Sequence, residues 1–300
     1  MAVGERDPIT GHMTTGHEWN GIKELHTPVP KPVWFFLIVF TLFGVIWTLF
    51  MPSWPYGTGY FKGWLGIDQK QTVAKQLEEG KADRAAWTAR IEKEDFAAIR
   101  ADADLMGVVR ETGHSLFGDN CAACHGTSGA GNLGYPNIAS APMLWGDAPE
   151  TIFETITVGI NGADPDTRVS EMLAFGKNQI LDRPAILQVV TYVRSLSGLE
   201  EPTEANAAAI DAGREIFAAN CVSCHGEDAK GKTDMGAPDL TDHFWINGSS
   251  RDAIYHSVFY GRQGHMPSWG LRLSPLDIKI LALYLSDLRE RQHAAVGDGT

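Results

Sequence analysis

All four cysteines of the 300-residue chain fall in two five-residue strings, Cys121-Ala122-Ala123-Cys124-His125 and Cys221-Val222-Ser223-Cys224-His225. Two thiols three residues apart on an incipient helical turn can each form a thioether with one vinyl group of a haem. The adjacent imidazole then lies beneath the iron as a proximal ligand. Two other chemistries use such pairs, structural zinc and thiol–disulfide exchange. Zinc ribbons set their knuckles closer than the 100 residues that separate these strings, and a redox pair does not need a histidine directly after it twice. No cysteine is left over. The spacing therefore points to two covalently bound haem c groups, carried by Cys121, Cys124, Cys221 and Cys224, with His125 and His225 as axial iron ligands.

Around these strings the chain repeats itself. Gly113, Phe117, Asn120, Gly126 and Gly131 recur as Gly213, Phe217, Asn220, Gly226 and Gly231 at an offset of 100. Further on the offset is 102, pairing Gly134-Tyr135-Pro136-Asn137 with Gly236-Ala237-Pro238-Asp239 and Gly159 with Gly261. Beyond that, Met172 aligns with Met266 at 94, and Ile186, Tyr192, Val193 and Leu196 align with Ile278, Tyr284, Leu285 and Leu288 at 92. A period this long is a domain duplication, not a solenoid. One copy carries about ten extra residues at 160–183. Within each copy, glycine and phenylalanine lie one helical turn apart ahead of the haem string, where the aromatic can pack on the last helix beside Tyr192 or Tyr284. No strand alternation stands out, and the expected class is all-α.

Each copy, over 108–199 and 207–291, resembles a class I cytochrome c domain. The resemblance implies a methionine on the loop before the last helix as the sixth iron ligand, often in a Met-Pro context. Met266-Pro267 fits; Met172 is followed by Leu173 and is supported by its alignment with Met266. Met143 and Met235 follow their histidines too closely for a loop that must reach the opposite haem face. His114, His256 and His265 are alternative ligands, of which His265, beside Met266, competes most directly. Whether each methionine serves the haem of its own copy or of the other stays open. The resemblance also implies that the Pro136 and Pro238 carbonyls accept the Nδ1–H of the proximal histidines, which would fix each ring and tune its basicity.

Residues 33–51 (VWFFLIVFTLFGVIWTLFM) run without a charge. At 1.5 Å per residue they span about 28 Å, close to the hydrocarbon thickness of a bilayer. Thirty-two residues precede this run and no small-residue cleavage pattern follows it, so a retained anchor is expected rather than a signal peptide. Trp34, Trp54, Tyr56, Tyr60 and Trp64 suit the membrane interfaces. Lys23 and Lys31 before the span and Lys62 and Lys70 after it leave the positive-inside rule mute. Covalent haem attachment on the outer face of an energised membrane decides the orientation. The expected division is a cytoplasmic segment at 1–32, a transmembrane helix at 33–52, a partly helical periplasmic spacer at 53–107, and the two haem domains. The anchor lies in the bacterial inner membrane. In the spacer, Val73, Leu77, Trp87, Ile91 and Phe96 recur at helical spacing with a break at Gly80, a face suited to docking on a partner subunit.

One anchor, a spacer and two cytochrome c domains together resemble the dihaem subunit of a cbb3-type cytochrome c oxidase. The Pro-rich HTPVPKPVW and the stretch Tyr56-Gly57-Thr58-Gly59-Tyr60 add to the likeness. It implies that the chain sits beside a catalytic copper–haem subunit and a monohaem cytochrome c subunit. Electrons would pass inward from a soluble or membrane cytochrome c donor, for O₂ reduction coupled to proton pumping. No cluster of intramembrane histidines for haem b or copper is present, so the chain is not expected to reduce oxygen by itself. A free-standing shuttle, a cytochrome subunit of a quinoprotein dehydrogenase and a dihaem peroxidase are the competing readings. Nucleic acid is excluded as a partner: the net charge is −12 overall, and −11 from residue 52 onward, which would attract a basic redox partner.

Overall fold

The computed structural model describes residues 4–297, and the chain divides into two units between Asp83 and Arg84. In the first unit, strands β1 (Thr14–Trp19) and β2 (Ile22–Leu25) form an antiparallel hairpin. Asn20 and Gly21, at φ 50° and 84°, make the two-residue turn, because both tolerate the left-handed region that such a hairpin demands. This small sheet is an addition to the all-α expectation. Helix α1 (Lys31–Phe50) follows, with Pro32 in its first turn, where no backbone N–H is needed. It buries no residue and is long and apolar enough to cross a membrane. Its 20 residues reach about 30 Å. Its C-terminus is tied down by a second, two-residue-stranded hairpin, β3 (Pro55–Tyr56) with β4 (Gly59–Tyr60), and Trp64 N–H donates to the Leu49 carbonyl at 3.0 Å.

Helix α2 (Gln69–Lys93) runs unbroken through Gly80, where the spacer pattern predicts an interruption. One glycine costs a helix only about 1 kcal/mol relative to alanine, too little to end it. Its far end is anchored: Ile91 is fully buried and Trp87 packs on the core that follows. Helix α3 (Phe96–Ala101) and helix α4 (Ala103–Asn120) start on Asp95 and Asp102, whose carboxylates cap the Ala98, Asp104 and Leu105 amides. The remaining helices are α5 (Ala122–His125), α6 (Pro149–Val158), α7 (Arg183–Leu196), α8 (Ala207–Asn220), α9 (Val222–His225), α10 (Arg251–Tyr260) and α11 (Pro275–Gly297).

These helices make two cores, and the cores do not follow the sequence repeat. In the first, Val109 and Phe117 of α4 and Ile152 and Ile156 of α6 pack against Ile278, Leu281 and Leu285 of α11, the last helix of the second copy. In the second, Phe217 of α8 and Ile254 and Val258 of α10 pack against Val189, Val190 and Val193 of α7, the last helix of the first copy. The two copies have exchanged their C-terminal helices, the intrachain form of a domain swap. The close approaches show it residue by residue. Gly113 leaves no room for a Cβ against Tyr284, and Gly213 none against Tyr192 and the Gln188 carbonyl. Phe117 and Tyr284 rings sit 5.9 Å apart, Phe217 and Tyr192 rings 5.5 Å apart. The ranges 108–199 and 207–291 therefore describe sequence repeats, while each packed body draws on both. Arg289 of α11, buried, reinforces the exchange by donating to the Ile138 and Ala141 carbonyls at 3.1 and 2.8 Å in the first copy's loop.

Candidate haem centres

Each haem string is placed by the helix before it. Helix α4 ends as Cys121 N–H donates to the Phe117 carbonyl at 2.8 Å, and a short turn then brings His125 N–H onto the Cys121 carbonyl at 3.0 Å. The second string repeats this with Cys221 on Phe217 at 2.8 Å and His225 on Cys221 at 2.9 Å. Phe117 and Phe217 are buried in the two cores, so the strings inherit the rigidity of those cores. No disulfide joins any of the four cysteines. Burial pushes the Cys121 and Cys221 thiols up to about 11, the opposite of the depressed values that mark a redox-active pair.

The two imidazoles are held alike. His125 Nδ1–H donates to the Pro136 carbonyl at 3.0 Å and His225 Nδ1–H to the Pro238 carbonyl at 3.1 Å. Those bonds leave Nε2 of each ring as the free lone pair. Burial lowers the pKa of both rings against the opposing pull of the prolyl carbonyls, which favours the neutral form able to bind a metal.

Both strings open into a single cavity of about 860 Å³, inside the range of small-molecule sites. Met172 and Met266 line it as well. Met172 packs on the core that holds Cys221, and Met266 on the core that holds Cys121. The helix exchange thus packs each methionine on the core that also holds the first cysteine of the other copy's string. Antiparallel bridges pin the crossing point: Ile160 pairs with Met266 at 3.0 and 2.9 Å, and Met172 with Arg262 at 2.7 and 3.0 Å. Gly159 and Gly261, at φ 71° and 74°, sit against the Met266 and Met172 carbonyls where a Cβ would collide. The two haem loops also face each other. Gly134 N–H donates to the Ile246 carbonyl at 2.7 Å, and Gly236 lies flush on the Trp145 indole.

The cavity fits haem on a further count. Trp145 and Trp245 both line it, and their buried Nε1–H groups have no hydrogen-bond partner among the described residues. A buried N–H without an acceptor costs about 1–3 kcal/mol, so two such donors at one cavity call for an anionic or carbonyl-bearing occupant, as haem propionates are. These tryptophans, which sequence reasoning missed, lie 20 residues past each histidine and share the offset of 100 with the strings, a signal that the repeat carries.

Of the rival ligands, Met143, His114 and His256 do not line this cavity, whereas Met235 and His265 do. Met143 fills the first core, and Met235 lines the cavity half-exposed. His114 Nδ1 lies 3.3 Å from the Tyr284 hydroxyl, and His256 meets Tyr255 edge-on and Tyr260 at a tilt. His265 lines the cavity, with its Nδ1–H on the Asn161 carbonyl at 2.8 Å.

Comparison with known proteins agrees with this architecture. Residues 11–58 match the family described as the N-terminal domain of cytochrome oxidase-cbb3, FixP. Residues 111–197 match cytochrome c, and residues 208–285 match cytochrome c oxidase, cbb3-type, subunit III. The chain is similar to the cbb3-type cytochrome c oxidase subunit FixP of Bradyrhizobium sp. (strain ORS 278), 41% identical over 286 residues that cover 95% of this chain and 97% of that protein. It is 38% identical over 296 residues to subunit CcoP of Azospirillum sp. (strain B510), covering 96% and 99% of the two chains. It is also 38% identical over 277 residues to CcoP of Cereibacter sphaeroides, covering 92% and 94%. With relatives this similar along nearly its whole length, the chain belongs to the FixP/CcoP family, the cytochrome c subunits of cbb3-type cytochrome c oxidases.

Proposed function

We propose that this chain is the membrane-anchored dihaem relay of a cbb3-type oxidase, taking electrons from a cytochrome c donor and delivering them to a catalytic copper–haem subunit that reduces O₂ with proton pumping. Cys121 and Cys124 would carry one haem and Cys221 and Cys224 the other. The axial pairs are His125 with Met266 and His225 with Met172. What supports this reading is the single cavity lined by both strings and both methionines, with Met266 packed on the core that holds Cys121 and Met172 on the core that holds Cys221.

When bound, haem c supplies a reversible one-electron iron couple. The residues do the rest. Neutral imidazole and thioether ligands hold the couple at a high potential suited to the end of a respiratory chain. Pro136 and Pro238 fix the imidazole planes. The apolar lining from both cores would exclude water, and the contact between the facing loops 134–145 and 236–246 would keep the two haem sites close enough to exchange an electron. No side chain moves a substrate proton, so the chain acts as a carrier and the reduction of O₂ belongs to its partner. Helix α1 anchors it, with the haem bodies on the periplasmic side. Val73 and Leu77 on α2, both exposed, offer a face for a neighbouring subunit.

The test is mild-detergent extraction of native membranes through a tag on this chain, with reduced-minus-oxidised spectra and O₂ uptake. Haem c together with haem b and cyanide-sensitive uptake is the expected result. Haem c alone, with no uptake and no partner bands, would identify a free-standing shuttle and overturn the reading.

A further inference from the structure

Between the two methionine segments sits one side chain whose hydrogen bonds reach both. Asn161 follows α6 at φ 49°, a left-handed conformation that asparagine adopts more readily than most residues. Its Nδ2 donates to the Ser170 carbonyl at 2.8 Å and to the Gly264 carbonyl at 2.7 Å. Its Oδ1 accepts the Ser170 amide at 3.2 Å. Ser170 and Gly264 each stand two residues before a methionine, and they are equivalent at the same offset of 94 that relates Met172 to Met266. The two protons of one carboxamide are thus spent on matching carbonyls of the two segments. The Asn161 backbone adds to the grip: its carbonyl accepts His265 Nδ1–H at 2.8 Å, and the preceding Ile160 pairs with Met266 in both directions. The counterpart of Asn161 in the second copy is Gln263, which is exposed and forms no such bridge among the described residues. The device is therefore single, not duplicated.

We propose that Asn161 is a positioning residue for both sixth ligands at once. One carboxamide sets the register of the Met172 and Met266 segments together, so its loss disturbs the axial ligation of both irons. This rests on the reading of Met172 and Met266 as ligands. Ser268 provides the contrast. Its hydroxyl donates to the Val158 carbonyl at 2.6 Å and accepts the Asp164 amide at 3.2 Å, contacts that concern the Met266 segment alone.

The test uses the full-length chain in mild detergent. It reads the long-wavelength sulfur-to-iron charge-transfer absorption of the ferric state, the midpoint potential of each haem, and total covalent haem as a control. Asn161→Gly keeps the backbone conformation and removes the bridge. Asn161→Asp keeps the acceptor and removes both donors. Both variants are expected to retain two covalent haems, to lose most of the charge-transfer band and to lower both potentials. Ser268→Ala is expected to affect one haem only. Retention of the full band in both Asn161 variants, or a change confined to one haem, would overturn the proposal. Met172→Ala and Met266→Ala separate the two levels of the argument, since each should remove about half of the band if the ligands are right. If neither does, the ligand reading fails. If both do while Asn161→Gly leaves the band intact, only the positioning role fails.

Discussion

Tyr284, near the end of the chain, lies on Phe117 ahead of the first haem string, with ring centroids 5.9 Å apart. Its hydroxyl lies 3.3 Å from His114 Nδ1 on the same helix. The equivalent Tyr192 lies instead on Phe217 of the second string. Each helix that leads into a Cys-x-x-Cys-His string is therefore closed by the terminal helix of the other copy. Neither haem body can be completed until the whole chain from α4 to α11 is present, and damage to one end of the sequence is felt at a haem motif far from it.

Leu281 on α11 tests that consequence. It is fully buried in the core that carries Phe117 and Cys121. Leu281→Ala should cost about 2–5 kcal/mol by cavity formation. Urea unfolding followed at each haem should show the loss at the His125 site, with the His225 site unfolding later. Loss at the His225 site first would contradict the exchanged packing.

The unpartnered indole N–H groups make a second prediction. Trp145→Phe keeps most of the ring volume and removes the donor facing the cavity. A donor that offsets propionate charge favours the reduced iron, so its removal should lower one midpoint potential by destabilising that state. Redox titration of Trp145→Phe and Trp245→Phe checks this. Potentials equal to those of the parent chain would mean that the indoles serve packing alone.

Acid should weaken the junction that leads into the first haem body. Asp102 caps α4 through the Leu105 and Asp104 amides, both at 3.0 Å, and its carboxylate meets Arg90 at 2.8 Å. The Leu105 hydrogen bond and then the Arg90 contact hold its pKa below the ordinary 3.8. A carboxylate lowered on folding stabilises the fold above its ordinary value, and that contribution is lost as pH falls through the lower folded value. The stability gap between the parent chain and Asp102→Asn should therefore be constant near neutrality and shrink below about pH 4. Thermal melts across that range measure it, and a gap that widens on acidification would reverse the assignment.

How far the sequence reveals this molecule depends on which residues one asks about. The haem strings were legible because thioether chemistry imposes a fixed spacing, and Pro136 and Pro238, 11 and 13 residues past their histidines, because the repeat aligns them and the resemblance to cytochrome c implies their role. Helix α2 was readable from Val73, Leu77, Trp87 and Ile91, but its passage through Gly80 was not, since a single glycine weakens a helix without ending it. The Asn20-Gly21 hairpin carried a turn signal, but its short strands lack the apolar alternation that would have marked them. The helix exchange was invisible for a different reason. Gly113 and Gly213, Phe117 and Phe217, and Tyr192 and Tyr284 are chemically identical pairs, so own-copy and crossed packing satisfy the same residues equally. Asn161 escaped notice because the repeat sets it against Gln263, and only the folded crossing point brings Ser170 and Gly264 within reach of one side chain.

Whether each methionine serves the haem of the other copy is open to one direct measurement. In a chain whose second string is disabled by Cys221→Ser and Cys224→Ser, only the His125 haem remains. Met266→His should then convert that haem to bis-histidine ligation, with loss of the sulfur-to-iron charge-transfer band and a lower potential, while Met172→His should leave it unchanged. The reverse pattern, with the His125 haem responding to Met172 and indifferent to Met266, would contradict the account.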